Sequence, residues 1–99
     1  MEVKINSIHF DASAQLEEFI TKKVGKFEKA GEEIRKVEVS LKVVKPETAL
    51  NKHASIKVCA VGGEIFAEKV CDTFEEAVDQ CMDAVNKQYS KLKEKQRNK

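Results

Sequence analysis

The feature that most constrains this chain lies in its last third, where Phe74, Val78, Cys81, Met82, Val85, Tyr89 and Leu92 recur at three- and four-residue spacing. That spacing puts all seven on one apolar stripe of a helix about five turns long. A helix with one apolar stripe draws most of its stability from whatever covers that stripe, so the rest of the chain must supply a platform. Thr73 and Glu76 fit a capping box, T-x-x-E, at the start of the helix. Acids fill its first turns and lysines its last, as the helix dipole favours.

The platform is written in residues alternating with period two. Val37, Val39, Leu41 and Val43 point one way while Glu38, Ser40 and Lys42 point the other. Pro46 ends that strand, and Lys45 to His53 reads as an exposed loop. Ile56, Val58 and Ala60 alternate with Lys57 and Cys59 in the next strand, and Ile65 to Cys71 forms the returning one. Between them Val61-Gly62-Gly63-Glu64 is expected to be a two-residue hairpin, with the paired glycines supplying the positive φ of a primed turn. Upstream, Val3, Ile5 and Ile8 mark a short first strand. Leu16, Phe19, Ile20, Val24 and Phe27 mark a first helix, with Ser13 as its N-cap and Gly31 near its stop. Gly25 inside that helix costs about 1 kcal/mol relative to Ala, so it too leans on packing.

The element order is therefore β-α-β-β-β-α. A right-handed crossover puts the first two strands side by side and parallel, and the other strands follow as an antiparallel meander. Both helical stripes need cover, which places both helices on one face of the sheet. The expected fold is an α+β two-layer sandwich with a four-stranded, mostly antiparallel sheet. With 99 residues and 41% apolar content the chain suits a single domain, 1–99, with residues 96–99 expected to be a disordered basic tail. Nothing at Met1–Phe10 resembles a signal peptide, and no apolar run approaches membrane-spanning length. Cys59, Cys71 and Cys81 are odd in number and lack C-x-x-C spacing, which points to reduced thiols in a cytoplasmic protein rather than to a zinc or disulfide framework.

The sequence offers little to an enzyme. His9 and His53 fall far apart, and no H-E-x-x-H, nucleophile elbow or P-loop is present. Gly62-Gly63 lacks the helix and the Lys-Ser/Thr that a phosphate cradle requires. Glu75, Glu76, Asp79 and Asp83 are read as a solvated, dipole-matched face rather than a metal site. The expectation is no catalysis, no cofactor, no metal, no membrane and no small-molecule substrate.

Charge is more informative. The net charge is only +1, but it is segregated: Glu64 to Asp83 carries seven acids against Lys69 alone, and Asn86 to Lys99 carries six bases against Glu94 alone. On the first helix Lys22, Lys26 and Lys29 share an outward stripe with Lys23 at its edge. On the last, Lys87, Lys91 and Lys95 form a stripe at four-residue spacing, with Lys93 and Arg97 on a neighbouring face. Lysine stripes usually serve solubility. Two stripes on adjacent helices could instead form one basic wall that meets phosphates through charge and counterion release, with little reading of bases.

With this order and these lysines in view, the sequence resembles the short form of the ribosome hibernation-promoting factor family, also called ribosome-associated inhibitor or sigma-54 modulation protein. The likeness runs over nearly the whole chain. It rests on Gly62-Gly63-Glu64-Ile65, on Ala77-Val78-Asp79, and on Lys87-Gln88-Tyr89-Ser90-Lys91-Leu92-Lys93, which is similar to the family's R-Q-L-N-K-L-K. Leu16, Phe19, Lys23, Lys26 and Glu28 also fall where the family has like residues. The resemblance implies a fold similar to double-stranded-RNA-binding domains. It also implies binding to ribosomal RNA in the messenger and transfer RNA channel of the small ribosomal subunit, blocking translation in stationary phase or starvation.

Carried over by position, Lys87, Lys91, Lys93, Lys23 and Lys26 would contact RNA, while Lys22, Lys29 and Lys95 are added from stripe geometry. There are departures. Thr73-Phe74-Glu75-Glu76 stands where the family often has D-M-Y-A, and Glu17 stands where a base is common. The Lys45–His53 loop is longer than in short members, and the chain is expected to lack the C-terminal dimerisation domain of long ones. If it pairs ribosomes, a second dimerising factor would then assist. Two other readings stay open at this point: a general RNA-binding regulator of similar fold, and a small homodimeric interaction module.

Overall fold

The computed structural model describes residues 2–8, 11–27, 34–44 and 51–97, with side chains given as far as Leu92. The elements are β1 (Glu2–Ile8), α1 (Ala14–Gly25), β2 (Ile34–Val43), β3 (Lys52–Ala60), β4 (Gly63–Cys71) and α2 (Phe74–Arg97), in the expected order. The sheet runs β1-β2-β3-β4, with β1 and β2 parallel and the other two pairs antiparallel.

Local chemistry fixes the helix starts. The Ser13 hydroxyl accepts the Leu16 N–H at 3.0 Å, satisfying one of the amides that the first turn leaves free. The Thr73 hydroxyl does the same for Glu76 N–H at 3.1 Å, so half of the capping box forms; among the described residues Glu76 makes no returning bond. α1 ends earlier than its apolar stripe, at Gly25, and Lys26 is its C-cap, the backbone N–H bonding to Val24 O. The stop expected near Gly31 lies outside the described residues.

One core joins the two layers. Leu16, Ile20, Val24 and Phe27 cover one half of the helix-side sheet face, and Phe74, Val78, Cys81, Met82 and Val85 cover the other. Beneath them lie Val37, Val39 and Leu41 of β2, Ala54, Ile56 and Val58 of β3, and Ile65 and Ala67 of β4. Each large apolar side chain buried there contributes about 1.5–3 kcal/mol of transfer free energy before chain entropy is subtracted. Tyr89 and Leu92 continue the α2 stripe but are only partly buried, since the sheet beneath them ends.

Several expectations shift. In β1, Val3 and Ile5 face the core, whereas Ile8 is out of phase with them and 40% exposed. β2 begins at Ile34, which is buried because a register shift between Ile34 and Lys36 turns it inward. Val43, at the far end of the same strand, is exposed instead of buried. Lys52 and His53, expected in a loop, already pair with Val43 and Lys42 as the start of β3. Pro46 and the rest of residues 45–50 lie outside the described residues.

The hairpin also turns one residue earlier than expected. Ala60 pairs with Gly63, so Val61 and Gly62 make the turn, and the positive φ, 153°, falls on Gly63 as the first residue of β4. Finally, α2 runs to Arg97, so residues 96 and 97 of the expected tail continue the helix, while 98 and 99 lie outside the described residues.

Candidate nucleic-acid interface

α2 has two flanks, and they are built differently. One flank meets α1: Asp79 takes the Lys23 ammonium at 2.9 Å, and the Tyr89 and Phe27 rings pack edge to face at 6.2 Å. The other meets β4. There the Gln88 side-chain amide donates to the Phe66 carbonyl at 3.0 Å, fastening helix to strand edge. Among the described residues two open grooves lie along this β4 seam. Lys69, Gln80, Asp83, Ala84 and Lys87 line the larger, about 270 Å³, and Glu64, Ile65, Gln88, Lys91 and Leu92 the smaller, about 190 Å³. Neither reaches the roughly 300–1,000 Å³ usual for small-molecule sites, and both lie open to solvent.

Each candidate lysine can now be placed. Lys87 and Lys91 are exposed and have no carboxylate partner among the described residues. Lys26 is likewise exposed and unpaired among the described residues. Lys22 reaches Glu18 one turn back at 3.4 Å, a solvated pair of little energetic weight. Lys23 is engaged twice, by Asp79 and by the Phe19 ring 5.4 Å away, so its ammonium bridges the two helices. Lys29 lies outside the described residues. Lys93 and Lys95 belong to α2, but their side chains are not among those described.

The expected wall across both helices is described only in part, since Lys29, Lys93 and Lys95 are not among the described side chains. α1 and α2 are neighbours, but Lys87 and Lys91 sit on the β4 flank of α2, away from α1, and the shared seam is closed by an ion pair of opposite charges. Sequence reasoning also passed over Lys69. It stands opposite Ala54 of β3, at an inward-facing position of β4 where an apolar residue would be expected, and yet it is exposed. A lysine that breaks the parity of an edge strand was the available signal.

Cys71 and Cys81 are buried packing groups, whereas Cys59 is only half-buried. Cys81 is fully buried, its Sγ donating to Ala54 O at 3.3 Å, and burial pushes its pKa up to about 11. Burial also raises Cys71, helped by Glu76 and Asp72. Among the described residues no cluster of His, Cys, Asp or Glu is arranged to hold a metal, and no helix is long and apolar enough to cross a membrane.

Comparison with known proteins bears on the same elements. A ribosome hibernation promoting factor of Pseudomonas putida is 28% identical over 98 residues, spanning 99% of this chain and 92% of the relative. A ribosomal subunit interface protein from Coxiella burnetii has a similar structure, with a TM-score of 0.82 and 26% identity, covering 94% of this chain and 98% of that one. The N-terminal domain of Thermus thermophilus Protein Y, with a TM-score of 0.69 and 19% identity over 95% of this chain and 98% of its own, shares the fold. The sigma 54 modulation protein / S30EA ribosomal protein profile matches residues 3–97, from the first strand to the end of the basic helix, and the chain belongs to that family.

Proposed function

We propose that this protein is a cytoplasmic ribosome hibernation factor that works without catalysis. It binds the small ribosomal subunit in the channel used by messenger and transfer RNA and holds the subunit idle in stationary phase or starvation. The mechanism is steric. A rigid two-layer wedge occupies the channel, and ammonium groups on the helix layer anchor it to ribosomal RNA phosphates, releasing counterions as they do so. If the protein also brings ribosomes together, a second dimerising factor assists.

The observation that carries this reading is the pair Lys87 and Lys91. Both stand unpaired among the described residues, within the basic run of a helix that the family profile spans. The 28% identity to a hibernation promoting factor along nearly the full chain supports the same reading. The test is cosedimentation with purified small subunits. Binding should weaken steeply as salt rises from 50 to 200 mM and should be lost when transfer RNA fills the channel. Binding that ignores salt would favour the homodimeric module, and binding that ignores transfer RNA would favour a general RNA-binding regulator.

A further inference from the structure

We infer that Lys69 of β4 and Lys87 of α2 form a two-ammonium clasp for a single phosphodiester of the RNA backbone, so that the anion-binding surface turns around the β4 edge. The inference rests on the proposed ribosomal reading and names a residue and a site within it.

Lys69 occupies an inward-facing position, paired with Ala54. Lys69 is nonetheless exposed and lines a groove against α2, which keeps its ammonium in solvent beside the helix. It lines the same groove as Lys87, where the small Ala84 side chain leaves room between strand and helix. Neither lysine has a carboxylate within ion-pair distance among the described residues, although Asp83 lines the groove with them. Two like charges sharing one groove repel, and an anion seated between them relieves that repulsion. A phosphodiester has the needed charge and acceptor oxygens, and it requires no enclosed cavity. The Gln88 amide bond to Phe66 O pins β4 against α2 beside the groove, which holds the clasp open before RNA arrives. Lys91 lines the next groove along the same seam, so a strand leaving the clasp meets another cation.

The test is a salt titration of small-subunit binding for the parent, Lys69→Gln, Lys87→Gln, the double variant and Lys57→Gln. Lys57 lies on the opposite sheet face, paired with Glu64 at 3.6 Å. Each single variant at the clasp should lower the slope of log K against log salt by up to about one, and the double variant by about one in total, because one phosphate is shared. Lys57→Gln should match the parent. A Lys69→Gln protein with the parental slope, alongside a weakened Lys87→Gln, overturns the clasp and leaves the ribosomal reading standing. A double variant that loses about two units of slope assigns the lysines to separate phosphates and also overturns it. A parent protein with no affinity for small subunits removes both readings together.

Discussion

The lysines on the open face of the sheet and those on the β4 flank of α2 are the same residue type in opposite electrostatic settings. On the open face Lys36 lies 3.7 Å from Glu38, Lys57 lies 3.6 Å from Glu64, and His53 meets Glu68 at 3.3 Å. Cross-strand register sets Glu38 between Lys4 and Lys57, so opposite charges alternate along that row of the sheet. On α2 the acids collect at the N-terminal end, where the helix dipole favours them, and Lys87 and Lys91 are left with no partner among the described residues. A net charge of +1 says nothing of this difference. What matters to a polyanion is where the carboxylates have been drawn, and a helix separates charge along its axis while a sheet interleaves it.

The contrast requires both regions to belong to one folded unit, and Val85→Asp should break it outright. Val85 is fully buried, and an unpaired carboxylate there should cost about 4 kcal/mol or more in a urea melt. Leu92→Asp should cost clearly less, because that site is only partly buried. A Val85→Asp protein as stable as the parent would mean that the buried stripe of α2 is misassigned.

Charge reversal sharpens the contrast itself. Lys87→Glu with Lys91→Glu should weaken small-subunit binding at least about tenfold and leave the melting curve unchanged, since both side chains face solvent. Lys36→Glu with Lys57→Glu alters net charge by the same amount on the paired face and should change binding less than about twofold. Equal losses from the two double variants would reduce the interface to a matter of total charge.

A third prediction sets buried against exposed chemistry. Well below pH 9 the Cys81 thiol is protonated in both the folded and the unfolded chain and contributes no pH dependence. As pH climbs from about 9 toward about 11 the unfolded thiol ionises while the folded one keeps its proton. Unfolding then releases a proton, and stability falls as pH rises. The parent should therefore lose more stability than Cys81→Ala over that window in urea melts at pH 8, 9 and 10. Parallel losses would mean that burial does not hold the thiol neutral.

The smallest effect belongs to the α1 flank of α2. Asp79 and Lys23 are 58% and 40% exposed, so Asp79→Ala should cost only about 0.5 kcal/mol in stability. By freeing the Lys23 ammonium it should leave RNA binding unchanged or slightly tighter. A tenfold loss of binding would show that the ion pair sets helix geometry for recognition.

Much of the architecture was legible beforehand because it depends on local periodicity. The α2 stripe, the alternation in β2 and β3, the Ser13 and Thr73 caps and the parallel β1–β2 pairing all follow from residue spacing and chain handedness. The errors fell where a strand loses its regular phase or ends: Ile8 and Val43 at strand ends, Val61-Gly62 as the turn, and Lys52–His53 drawn into β3 by pairing that no short window of sequence contains. Of the site, the basic run of α2 was legible as a stripe, but the direction it faces was not. Helical spacing says that Lys87 and Lys91 share a side; it does not say whether that side looks toward α1 or toward β4.

By itself the sequence determined that this chain builds a sheet covered by two amphipathic helices and that bases outnumber acids toward the end of the second. Both properties are one-dimensional, set by period and by order along the chain. Only the tertiary structure decided which lysines remain free. It took Lys23 into a bond with Asp79, brought Lys69 beside Lys87 from a strand 18 positions away, and turned the charged flank of α2 toward the sheet edge. The reason is physical: ion pairing depends on distances of a few ångströms between residues remote in sequence, and those distances exist only once the layers have packed.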